Sequence, residues 1–178
     1  MDNIEILVSD IDVSSLNNFL KNSLGVVKAN VINSHFFNDK SNEDFEFFDE
    51  MNITEYYSET RTGNLFISNL SLGIDISEVM IIISSENMKA DIELSFGEDV
   101  FENSNENEIK SKVKKLVQFL KVLNKEILLD QITVGFEPIS DTELNLLVIK
   151  DKDIHVCTEM NDMLSVLLKN DICWDVVD

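Results

Sequence analysis

At 178 residues, 44% of them hydrophobic, the chain is long enough to form one domain (1–178) with a substantial core and too apolar to stay disordered. A formal charge of −20, from 34 acids against 14 bases, argues against nucleic acid and anionic membrane as partners and in favour of a basic protein. One arginine (Arg61), two histidines (His35, His155) and two distant cysteines (Cys157, Cys173) exclude an arginine clamp for phosphate, a multi-histidine metal site and a CxxC redox motif.

The first residues, MDNIE, lack a basic n-region, and nowhere do 18 apolar residues run together, so a cytoplasmic protein is expected. Residues 4–8 (IEILV) read as a short strand, apolar enough to be buried on both faces. Asp12 or Ser14 then caps a helix of about three turns, with Leu16, Phe19, Leu20 and Leu24 as its apolar set. Gly25 stands where a left-handed stop is expected, and 26–32 follows as a second strand with Val27, Ala29 and Val31 on one side.

Between 39 and 59 the composition changes. Glu43, Asp44, Glu46, Asp49, Glu50 and Glu55 are interleaved with Phe45, Phe47, Phe48, Tyr56 and Tyr57, and Lys40 is the only base within the segment. A helix over 43–51 and an irregular excursion both fit. On one reading the aromatics belong to the core and the acids to its solvated side. On the other the segment is an acidic, aromatic-rich contact surface, a makeup common in binding hot spots. That second reading assigns partner binding to Glu43, Asp44, Glu46, Phe47, Phe48, Asp49, Glu50, Glu55, Tyr56 and Tyr57.

Arg61-Thr62-Gly63-Asn64 is a turn signal ahead of a strand over 65–70. Residues 79–84 and 90–96 suggest a hairpin. In its second arm Ile92, Leu94 and Phe96 alternate with Asp91, Glu93 and Ser95, which gives one dry and one wet face, as in an antiparallel sheet. The strongest element is 105–126, where Ile109, Val113, Leu116, Val117, Leu120 and Leu123 share one helical face widened by Phe119. Asn105 and Glu108 form a capping-box signature at its start. Its lysines read either as a solvated face with snorkelling stems or as a basic stripe, and the acidic remainder of the chain favours the former.

Strands over 131–137, 144–149 and 154–157 follow. A last helix opens at Thr158 with Met160, Met163, Leu164, Leu167 and Leu168, and a tail at 172–177 could add an edge strand. The expected fold is α+β: a mainly antiparallel sheet packed by the long amphipathic helix at about 105–126 and two or so further helices.

Residues 6–13 (ILVSDIDV) put an Asp-x-Asp at a strand end and resemble the first motif of haloacid-dehalogenase-type phosphatases. The resemblance implies Asp10 as nucleophile, Asp12 as general acid/base and Mg²⁺ seated between them. Over the rest of the chain that family's alternation of strands and helices is missing. No glycine-rich phosphate loop and no Gly-x-Ser-x-Gly elbow is present either. In size, charge and layout the whole chain resembles bacterial immunity proteins of polymorphic-toxin and contact-dependent inhibition systems. That resemblance implies an acidic cytoplasmic binding protein, not an enzyme and without cofactor, that neutralises a cognate basic toxin, often a nuclease. A chaperone or adaptor for a basic subunit shares the same charge logic.

Overall fold

The structure is a computed structural model that describes residues 3–38, 41–101, 104–127, 129–140, 142–150 and 153–156. Period-two alternation organises most of it. Strands β1 (Asn3–Asp12), β2 (Val31–Asn38), β3 (Glu43–Phe45), β4 (Arg61–Ser71), β5 (Asp75–Glu86), β6 (Lys89–Gly97), β7 (Gln131–Phe136), β8 (Asn145–Lys150) and β9 (Asp153–Val156) form one sheet. Its order is β3-β2-β4-β5-β6-β1-β7-β8-β9, and every neighbouring pair is antiparallel. The sequence led to a mainly antiparallel sheet. The sheet is larger than that reading implied, and the described helices are few.

Register puts the apolar residues on one face. A single row runs Leu147, Val134, Ile6, Leu94, Ile81, Leu65 and Ser34 across seven strands, and every member is buried. Ser34, the polar end of the row, is satisfied because its Oγ accepts the Phe47 N–H at 2.7 Å. The β5–β6 hairpin closes through Asn87 and Met88, both at positive φ (52° and 63°), the two-residue geometry that matches strand twist.

Three helical segments supply the rest of the core. Helix α1 (Leu16–Asn18) lies between a 3-10 turn (Val13–Ser15) and a π turn (Phe19–Ser23), and Leu16, Phe19 and Leu20 are buried. Helix α2 is a single turn (Ile53–Tyr56) capped by Asn52, whose side chain accepts the Glu55 N–H. Helix α3 (Glu106–Ile127) sets Val113, Leu116 and Val117 against Ile4, Val134 and Leu147. All six of its expected apolar residues are buried, and the box is closed: Glu108 N–H donates to Asn105 Oδ1 (3.1 Å) and Asn105 N–H to Glu108 Oε2 (2.9 Å). None of the described helices is long and apolar enough to cross a membrane.

Several local expectations are corrected. Residues 28–30 form a 3-10 turn, not strand, because the Asn30 side chain accepts the Val27 N–H and donates to Gly25 O. Gly25 does take the left-handed conformation, at φ 68°. β1 buries Ile4, Ile6 and Val8 on one face, while the other holds buried Glu5 with Leu7 and Ser9 part-buried, and it continues through a bulge to Asp12. Asp12 makes no capping bond; its carboxylate pairs with Lys89 at 2.9 Å. Residues 61–64 are strand, not turn. Gly63 is there because a Cβ would lie 2.5 Å from Tyr57 Oη and 2.8 Å from the Phe36 ring. The last helix, the tail and both cysteines lie outside the described residues.

Candidate functional site

Of the two forms expected for the acidic segment, the helix over 43–51 is absent and the described part, 41–59, is largely irregular. It contributes the edge strand β3, an irregular excursion and α2. Pairing of Phe36 with Phe45 and of Phe37 with Asp44 sends alternate side chains to opposite faces. Phe45 stacks on Phe36 at 5.6 Å, and Tyr56 stands edge-on to both, at 5.7 and 5.4 Å. Tyr57 meets Tyr56 edge-on at 4.8 Å. The Arg61 guanidinium lies 5.0 Å above the Tyr56 ring, and Tyr56 Oη accepts the Phe37 N–H at 3.0 Å. These rings fasten the edge of the sheet to the core. Burial, with Tyr56 adding to it, pushes the Tyr57 hydroxyl pKa far above its usual value.

The ten sequence-assigned residues therefore separate. Phe47 and Tyr57 are buried in the core and Tyr56 is half-buried, whereas Glu43, Asp44, Glu46, Phe48, Asp49, Glu50 and Glu55 are exposed. The fold also brings in bases that the linear segment does not contain. Lys28 Nζ pairs with Glu46 at 3.0 Å, the Lys28 N–H donates to Asp49 Oδ1 at 2.6 Å, and Lys21 Nζ donates to the carbonyls of Asp49 and Met51. Asp44 lies 3.5 Å from His35, and Glu55 accepts from Asn52. Glu43 and Glu50 have no ion pair among the described residues. The result is an exposed acidic rim with one apolar member, Phe48, that is 47% exposed. Sequence reading missed Lys21 and Lys28; only their place in the fold, next to 46–51, could have revealed them.

Other places offer less. Asp10 and Asp12 lie within an antiparallel pair, not at the end of a parallel strand. The Asp10 N–H donates to Asp91 Oδ1 at 3.0 Å, Asp12 is paired with Lys89, and no described group of three His, Cys, Asp or Glu residues could hold a metal ion. A cleft of about 500 Å³ opens between the β4–β5 turn, the end of β6 and α3, with Asp75, Asp99, Lys112 and Lys115 on its walls. Its part-buried ammonium is already engaged: Lys112 Nζ donates to Val100 O (2.7 Å) and Ser104 Oγ (2.8 Å).

A family model described as PABL017 Cdi1I immunity protein matches residues 2–167. The chain belongs to that family. As an immunity protein it acts by binding and is not an enzyme, so the phosphatase reading of Asp10 and Asp12 is overturned. The immunity protein also resembles a chain in the 1.75 Å crystal structure of the toxic C-terminal tip of CdiA from Pseudomonas aeruginosa in complex with immune protein. The TM-score is 0.63, with 14% sequence identity over 83% of this chain and 94% of that one, a likeness of fold. Comparison with curated protein sequences returns no match.

Proposed function

We propose that this immunity protein works in the cytoplasm by binding a CdiA C-terminal toxin and masking it. The toxin's contact surface is basic, as the cleft of a nuclease is, and meets the acidic rim of Glu43, Asp44, Glu46, Phe48, Asp49, Glu50 and Glu55. The family match over nearly the whole chain carries the toxin-binding reading. The net charge of −20 and the exposure of the rim support the rest. An acidic surface raises the encounter rate with a basic partner, while packed contacts set the rate of dissociation. Nothing in this action requires a cofactor.

The test is association kinetics with the purified C-terminal toxin domain of the cognate CdiA. Changing Glu46, Asp49 and Glu50 together to Lys should slow association about tenfold at low salt and leave dissociation much less affected. The wild-type association rate should fall as salt rises. An unaltered rate in the triple variant would remove the rim from the interface, and a toxin that is not bound at all would overturn the function itself.

A further inference from the structure

The sheet buries one face against the helices, and no described helix packs over the middle of the other. On β4, β5 and β6 the side chains pointing away from the core are part-buried or exposed: Phe66 stands opposite Met80, Asn64 opposite Ile82 and Thr62 opposite Ser84. Ile82 in turn faces Glu93 on β6, and Glu93 faces Leu7 on β1. Directly opposed residues keep their Cβ atoms about 5 Å apart, so the Glu93 carboxylate rises between two aliphatic side chains.

Glu93 is held by no hydrogen bond or ion pair from any described residue. The charges that act on it, Glu5 and Glu137, are both acids, and each of these is satisfied: Glu5 accepts the Ile139 N–H at 2.7 Å and Glu137 accepts from Asn3 Nδ2 at 2.8 Å. Partial burial, then Glu5 and Glu137, raise the Glu93 pKa, as expected of a carboxylate that lacks a counter-charge. No described group of three His, Cys, Asp or Glu residues could hold a metal ion.

We propose that this open face, centred on Glu93 and framed by Leu7, Phe66, Met80 and Ile82, is a docking surface for the toxin, with a lysine or arginine side chain of the toxin seated on Glu93. The proposal rests on the toxin-binding reading above. Charge complementarity selects the occupant. The outer side of α3, with Lys114, Lys115 and Lys125 exposed, is basic and would turn a basic partner away, whereas the sheet side presents carboxylates. A long cationic side chain suits the site chemically, because its methylene stem packs on Leu7 and Ile82 while its head meets the carboxylate. Asp44, opposite Phe37 on the same outer face of the sheet, belongs to β3, four strand spacings or about 19 Å from β6, a distance that one protein of ordinary interface size spans.

The experiment is calorimetric titration of the same toxin domain into the full-length chain, as wild type, Glu93→Gln, Glu93→Lys and Lys114→Glu. Glu93→Gln should weaken binding about tenfold and Glu93→Lys about a hundredfold or more, with Lys114→Glu within about twofold of wild type. Glu93→Gln is nearly isosteric and removes a repelled charge, so its melting temperature at neutral pH should match or exceed wild type and its binding result is interpretable. Both Glu93 variants binding within about twofold of wild type would overturn this inference and leave the toxin-binding function standing. A wild-type chain that does not bind would overturn both.

Discussion

Tyr57 shows how a single buried group can carry a cost. Its side chain is 1% exposed, its hydroxyl has no hydrogen-bond partner among the described residues, and the oxygen occupies the space where a Cβ on residue 63 would stand. A buried hydroxyl without a partner has given up its hydration for nothing, so removing it should help. Tyr57→Phe is expected to stabilise the fold by about 1 kcal/mol, a rise of about 2–4 °C in melting temperature for a chain of this size. Gly63→Ala should act the other way. It drives a methyl against Tyr57 Oη and the Phe36 ring, and a loss of about 2 kcal/mol or more is expected. Combining the two should recover part of that loss, because the nearest obstructing atom is gone. Thermal melts of the two single variants and the double variant measure this coupling, and strict additivity would contradict the contact.

At the level of elements, what was legible in the sequence follows the range of the interactions involved. The start of α3 is set within four residues, by Asn105 and Glu108, and its sequence signature matches the two hydrogen bonds formed. Asn105→Ala should therefore cost about 1 kcal/mol and fray the first turn, seen as lower helical signal and a lower denaturation midpoint. An unchanged midpoint would mean that packing of Ile109 and Val113 alone fixes the helix. The wet and dry faces of β6 were equally readable, because alternation is local. Gly63 was not, since the rings that exclude its Cβ belong to β2 and to the residue after α2. Asp12 was misassigned for the same reason: its partner Lys89 comes from the far end of the β5–β6 hairpin. In the acidic segment the exposed carboxylates were legible from their sheer density. The burial of Phe47 and Tyr57 and the approach of Lys21 and Lys28 depend on chain packing that composition does not encode.

Over the whole molecule, one charge distribution acts on folding and on binding with opposite sign. The stretch 105–126 holds six lysines and three glutamates, which leaves 31 acids against 8 bases for everything else. Those acids repel one another across the sheet and its edge, so the compact state carries a self-repulsion that the unfolded chain relieves. Under the proposed function, the same field draws a basic toxin toward the sheet side. Mobile ions weaken both effects, since the screening length shortens from about 30 Å at 0.01 M salt to about 3 Å at 1 M. Raising salt over that range should therefore increase the melting temperature of the free protein while slowing its association with the toxin. Surface pairs such as Lys28–Glu46 and Lys89–Asp12 also weaken in salt, but exposed pairs contribute at most about 1 kcal/mol each and are too few to reverse the trend. Melting curves and stopped-flow association measured in one salt series decide the matter. A melting temperature that falls with salt would mean that specific ion pairs, not net repulsion, dominate the folded state. An association rate indifferent to salt would mean that the acidic surface guards solubility and plays no part in bringing the toxin in.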